Sequence, residues 1–310
     1  MPRKNRRGKS GSAALGAAGL APLAVALLVG NAVIPSGGSK LVSSDPTAPV
    51  QCEEGLENFH ECHASYPTGC SPSGKYDGYL NYLKNQHPPR DSTPVKLFTS
   101  LADYQDLERR TPKTLGKSNH LDLKDQLAAM GEGQPYAVMG YLYYAKQEGQ
   151  ESSNCELTAA EDTDFHIGIG FDKSVAAAAL KPSTQTAAER AALEETAVVV
   201  EMTPQYRAGF APEWTLAALR AAIGKQVKVT GQLMADNEHN VPGDNCGLPD
   251  HRDSCWRASI WELHPVTSFQ VCTLTDAACV PTGAGWVDIG HAGATDSAST
   301  KLPATAPSEN

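Results

Sequence analysis

The chain has 310 residues, with 26 Lys and Arg against 35 Asp and Glu, a net charge of −9 and eight cysteines. A net negative protein repels polyanions at long range, and phosphate-led binding draws on clustered Lys and Arg. The one basic cluster lies within the first nine residues, which argues against a nucleic-acid partner.

Arg3, Lys4, Arg6, Arg7 and Lys9 precede an uncharged stretch, Ser10 to Ser39, whose apolar core is Ala13 to Gly30. A basic region followed by an apolar one is the pattern of an export signal, and Gly30 and Ala32 offer small residues for cleavage after Ala32. Residues 1–34 also fit an uncleaved membrane anchor, since the apolar core reaches the lower end of what spans a hydrocarbon layer of about 30 Å. Pro22 weakens such a spanning helix. The pair Arg6-Arg7 hints at a twin-arginine route, but Gly-Lys-Ser-Gly follows it rather than apolar residues. Under either reading the rest of the chain is exported, periplasmic or extracellular. It then meets a membrane only through this segment, if the segment is kept.

Residues 35–51 (PSGGSKLVSSDPTAPVQ) read as a flexible linker. The region 52–132 follows, turn-rich at 52–75 and then helical. Tyr76 to Gln86 places Tyr76, Tyr79, Leu80 and Leu83 at helical spacing, ending at Pro88-Pro89. Further helices are expected over about Leu97 to Leu107 and Asp122 to Met130. After Gly131-Glu-Gly133 the period becomes two. Alternation predicts strands at Tyr136–Ala145, Phe165–Phe171, Ala197–Thr203, Gln226–Met234 and Ala258–Cys272, the last interrupted at Pro265. Trp214 to Ile223 is a predicted helix between the third and fourth strands. Ser174 to Glu195 is an Ala-rich insertion, helical and broken by Pro182, and long for a hairpin. Glycines 140, 168, 170 and 231 suit the bends of a small barrel. Residues 281–310 are Pro/Ala/Ser/Thr-rich, and disorder is expected.

An even number of cysteines in an exported chain reads as disulfides. The eight are Cys52, Cys62, Cys70, Cys155, Cys246, Cys255, Cys272 and Cys279. Proximity points to Cys272–Cys279 and to one pair within Cys52, Cys62 and Cys70; a bridge from Cys155 to Cys246 or Cys255 would join two loops. A zinc alternative uses His60, Cys62, His63 and Cys70, but no CxxC pair is present and the compartment favours disulfides.

Strand, strand, strand, helix, strand, strand is the order of an OB-type five-stranded barrel. Through DTDFHIGIGF (162–171), AVVVEMT (197–203), GKQVKVTGQLM (224–234) and ASIWELHPVT (258–267), the stretch Tyr136–Cys272 resembles an OB-fold domain of exported bacterial proteins of unassigned function. Barrel nucleases of the thermonuclease type share the strand order and use arginines with calcium-binding carboxylates. The second strand here holds no arginine and no matching arginine pair can be placed, so that activity is not carried over. The fold class is therefore α+β: an OB-like β-barrel at 133–280, preceded by the small helical, Cys-rich region.

Ligands of such barrels lie over the second and third strands, between the loops joining strands one to two and four to five. Those loops are Lys146–Asp164 and Ala235–Arg257. They hold Glu148, Glu151, Glu156, Glu161 and Asp162, and Asp236, Glu238, Asp244, Asp250 and Asp253 with His239 and His251. Asp236, Glu238 and His239 are the candidate ligands of a divalent cation; solvated acidic loops are the plainer reading. On the strands, Asp164, His166, Glu201, Glu262 and His264 alternate with apolar residues and so share an outward face. They are candidates for proton transfer or metal ligation, against the commoner role of cross-strand hydrogen bonding. No nucleophile elbow, Ser-x-x-Lys, His-Glu-x-x-His or Walker loop is present. The expected role is non-catalytic binding of a small ligand, cation or glycan. A metal-assisted hydrolase using the His/carboxylate face is the alternative, and an adaptor docking another envelope protein is the third.

Overall fold

The computed structural model describes residues 47–53, 55–181 and 184–291. The leader, most of the linker, Pro182 and the end of the chain lie outside these. No described helix is long and apolar enough to cross a membrane.

Alternating side chains build a closed barrel. Its strands are β2 (Pro135–Gln147), β3 (Phe165–Gly170), β4 (Val198–Met202), β5 (Gln226–Ala235) and β6 (Trp261–Cys272). Neighbours run β2-β3-β4-β6-β5, and β5 returns to β2 to close the ring. All pairings are antiparallel except β4 with β6, where Val200 lies opposite Leu263. This is the OB arrangement. Val138, Ile167, Ile169, Val198, Val200, Val229, Leu233, Leu263 and Phe269 fill the interior. A short β1 (Leu97–Phe98) adds to β2, and β7 (Trp286–Asp288) adds to β6.

Helices surround the ring. Before it come α1 (Phe59–Ser65), α2 (Gly78–Lys84), α3 (Leu101–Arg110) and α4 (His120–Ala129). α5 (Lys173–Ala179) and α6 (Ala187–Glu195) form the Ala-rich insertion, which packs Ala176, Ala179 and Leu193 against Tyr143 of β2. α7 (Pro204–Phe210) and α8 (Leu216–Ala221) fill the β4–β5 connection.

Several expectations are corrected. α1 occupies part of the stretch read as turns; Asn58 caps it by accepting from the Glu61 amide, but its seven residues, about two turns, are too few to show a period. α7 was likewise invisible, being a Thr203-capped turn with Pro204 at its start. Leu97 and Phe98 are strand rather than helix, with the helix beginning after Ser100. β6 continues as one strand through Pro265, but its register against β5 shifts on either side of it. Thr230 pairs with Ser268, Gly231 with Val266 and Leu233 with Leu263, so the extra residues lie on β6 around the expected interruption. Gly168 and Gly170 do not mark bends: the rings of Tyr144 and Tyr143 lie where their Cβ atoms would be. Within 281–310, expected to be disordered, residues 286–288 pair with β6; residues 292–310 lie outside the described residues.

The eight cysteines form Cys52–Cys70, Cys62–Cys155, Cys246–Cys255 and Cys272–Cys279. Two of these pairs match the proximity argument. The bridge from Cys155 to Cys246 or Cys255 is overturned, because Cys155 reaches back 93 residues to α1. The zinc alternative falls with it, since Cys62 and Cys70 are both oxidised.

Candidate functional site

Strand alternation puts the five candidate residues on one side of the sheet. His166 of β3 stands opposite Glu201 of β4, and β6 brings Glu262 and His264 alongside β4. Asp164 directly precedes β3. The expected outward, solvated face is not observed: none of the five is more than 3 % exposed. The Cys-rich region folds over the loop between β2 and β3 and buries them. Cys62–Cys155 ties α1 to that loop, Asn81 of α2 donates to Ser152 at 3.0 Å, and Lys84 pairs with Glu151 at 3.0 Å.

His264 is the centre of the cluster. Its Nε2 lies 3.2 Å from Asp164 Oδ2, and its Nδ1 lies 3.2 Å from Glu201 Oε2 and 3.3 Å from Glu262 Oε1. Asn154 Nδ2 donates to Asp164 Oδ1 at 2.7 Å. The Arg257 guanidinium bonds Glu262 through Nη2, donates to Asp236 Oδ2 at 3.0 Å and to the Ser259 carbonyl at 3.1 Å. Asp164, Glu201, Asp236 and Glu262 are all buried. Arg257 bonds Asp236 and Glu262, and the buried Lys84, paired with Glu151, acts on Asp236, Glu201 and Glu262 as well. Uncompensated buried charge is strongly destabilising, so the protonation of this layer must settle the remaining balance.

The titration behaviour follows from that balance. Burial alone would discharge His264, but the carboxylates of Asp164, Glu201 and Glu262 at contact distance hold it protonated well above the usual histidine range. Burial, reinforced by the charge of Glu262, pushes Glu201 up to about 8. Asp164 stays below its ordinary value against the cost of burial because His264 bonds it, and Glu262 does so through Arg257. Two adjacent carboxylates pushed apart in this way can hold opposite protonation states at neutral pH.

A polar cleft of about 390 Å³ opens onto this layer. His166 and Glu201 stand in its wall, with Asn81 and Lys84 from α2, Glu148 and Glu151 from the β2–β3 loop, and Glu238, His239 and Trp256 from the β5–β6 loop. His166 Nδ1 lies 3.0 Å from Glu148 Oε2 and 3.4 Å from Glu201 Oε1, while its Nε2 is buried without a hydrogen-bond partner. Burial lowers the His166 pKa in spite of Glu148. Glu148 falls to about 2, the contact with His166 outweighing its burial. Trp256 packs between His166 and His239, ring centres 5.2 and 4.9 Å away.

The cation candidates Asp236, Glu238 and His239 do not converge. Asp236 is held by Arg257 with His239 Nε2 3.7 Å away, His239 Nδ1 meets Asp244 at 3.1 Å, and Glu238 stands apart on the cleft wall. The two loops are not simply solvated either, since Asp162 is buried and accepts from the Phe59 amide. Sequence reasoning missed Lys84, Asn154 and Arg257 as parts of the site. None belongs to a periodic pattern; Arg257, just before β6, becomes meaningful only once Glu262 is known to be buried. Elsewhere, Glu213, Asp288 and His291 also gather ligand atoms, but Arg90 and the Trp214 indole already hold Asp288 at 3.2 and 2.9 Å.

Comparison of the chain with protein-family models, with curated proteins and with solved structures found no match. Fold and site therefore define the class: an α+β protein whose closed OB-like barrel carries a buried His/carboxylate layer beneath a polar cleft.

Proposed function

We propose that this chain is an exported binding protein whose cleft takes a small polar ligand bearing hydroxyl or ammonium donors. One observation carries the reading: His166 Nε2 is buried in the cleft wall without a partner. The ring's other nitrogen faces the Glu148 carboxylate, which accepts but cannot donate, so Nδ1 bears the proton and Nε2 is an acceptor. Leaving a buried acceptor unmade costs about 1–3 kcal/mol, and a ligand donor recovers that. Glu148 and Glu151 in the same cleft favour donors over anions. Four disulfides support an oxidising compartment.

The test is a thermal-shift series on the oxidised protein with neutral sugars, primary amines and inorganic anions. Binding to the folded form raises the melting temperature. Sugars or amines are expected to raise it, and His166→Phe to abolish the shift. A response to anions alone, or to none of the probes, would refute the reading.

Hydrolysis of the bound ligand is the second reading, favoured by the convergence of Asp164, Glu201 and His264 under the cleft. The adaptor reading is disfavoured, because the Cys-rich region already covers the barrel face that a partner would use.

A further inference from the structure

We infer that Asp164, Glu201 and His264 form a binding site for a divalent transition-metal cation such as Zn²⁺ or Mn²⁺ at the base of the cleft. The inference deepens the cleft reading and rests on it for access from solvent.

Geometry comes first. One ligand atom from each of the three residues lies within 4.8 Å of the others. His264 Nε2 and Asp164 Oδ2 are 3.2 Å apart. Ligands bound at about 2.0–2.2 Å around one ion sit roughly 3–3.5 Å from each other. Asp164 Oδ2, Glu201 Oε2 and His264 Nε2 are all buried and none makes a hydrogen bond, although their charged neighbours are at contact distance.

The surroundings fit the same assignment. His264 Nδ1 donates to Glu262 Oε1 at 3.3 Å, and Arg257 in turn holds Glu262. A carboxylate on the far nitrogen fixes the tautomer and aims the other nitrogen's lone pair, as it does for metal-bound histidines. Asn154 holds Asp164 Oδ1 and leaves Oδ2 free. Four buried carboxylates here face the charges of Arg257 and Lys84, and Lys84 is itself paired with Glu151, so a cation beside His264 is accommodated. Two carboxylates and one imidazole, with no thiolate, suit zinc or manganese and do not suit copper(I).

The rival occupant of the same charge deficit is a proton on His264, which lies close to Glu201 Oε2 through Nδ1 at 3.2 Å. Calorimetric titration separates the two. The oxidised full chain, stripped with a chelator and dialysed, is titrated with ZnCl₂ and with MnCl₂ alone. One equivalent of at least one metal is expected, with a rise in melting temperature. Asp164→Asn and Glu201→Gln are each expected to weaken uptake by about 10-fold or more, the range found for disturbed metal sites, with near-ultraviolet circular dichroism unchanged. If one variant does not fold, the other carries the test. No uptake of either metal, or uptake undiminished in a folded variant, overturns the inference and leaves the protonated histidine. His166→Phe keeps the two proposals apart: it should retain metal uptake while losing the response to sugars or amines. Loss of the ligand response alone does not touch the metal, and loss of metal uptake alone does not touch the cleft ligand.

Discussion

Two buried clusters of histidine and acidic groups sit in this molecule, one around His120 and one around His264 and His166, and they are built differently. His120 begins α4; its Nε2 donates to Glu132 Oε1 at 2.8 Å and its Nδ1 to Asn237 Oδ1 at 2.9 Å. The Asn237 amide cannot be reversed, because its nitrogen donates to Asp77 Oδ2 and to the Gly116 carbonyl. Asp77 is itself saturated by the amides of Tyr79, Leu80 and His120. Within this network one oxygen, Glu132 Oε2, lacks a hydrogen bond. Around His264 and His166 the unpaired atoms include Glu148 Oε2, Asn154 Oδ1, Asp164 Oδ2, His166 Nε2, Glu201 Oε2 and His264 Nε2. A closed network clamps α2 and α4 to the end of β5. An open one retains capacity for something to bind. Similar residue types therefore serve cohesion in one place and recognition in the other, and hydrogen-bond completeness is what separates them.

The comparison breaks most visibly at Arg257. Arg257→Met strands Asp236 and Glu262 in the barrel wall and should lower unfolding free energy by about 5 kcal/mol, the upper end for a broken buried pair, as read by urea denaturation. His120→Leu strands Glu132 and leaves Asn237 Oδ1 without its donor, and a loss of about 3 kcal/mol is expected. The double variant with Glu132→Leu should recover part of it, since removing both charges removes their desolvation cost while Asn237 Oδ1 stays unpaired; metal uptake should stay unchanged in both His120 variants.

Titration sharpens the contrast. The His120 pKa is raised, its bonds to Glu132 and Asn237 prevailing over burial. A group raised in the fold contributes its full stabilisation below its unfolded value, near 6.5, and loses it as pH climbs through the folded value. Wild-type stability should therefore decline on the alkaline side relative to His120→Gln, whose own profile should be flatter there. A parallel pair of profiles in urea would contradict the assignment of a charged His120. The smallest effect belongs to His166→Phe. It removes an unsatisfied nitrogen together with the contact from Nδ1 to the partly exposed Glu148, so stability should change by about 1 kcal/mol while ligand response disappears.

Much of the barrel was legible in the chain. Phe165, Ile167 and Ile169 announce one face of β3, and Val198, Val200 and Met202 one face of β4, because strand periodicity is local. The five polar residues between them were found for the same reason. Their burial was not, since the cover comes from α1 and α2, held through a disulfide spanning 93 residues. Arg257 and Lys84 were missed because an isolated basic residue has no period. The cation candidates on the β5–β6 loop went wrong for a related reason: proximity in sequence said nothing of Arg257 and Asp244 competing for Asp236 and His239.

By itself, then, the sequence determined strand order, the inward face of each strand and the set of polar residues on the other. All of these follow from alternation and turn chemistry within a few residues. Tertiary structure alone decided that this polar face would be roofed over, which oxygens would meet His264, and which would be left without partners. Those outcomes depend on contacts between distant segments, where desolvation turns an ordinary row of surface charges into a strained charge balance that a cation can complete.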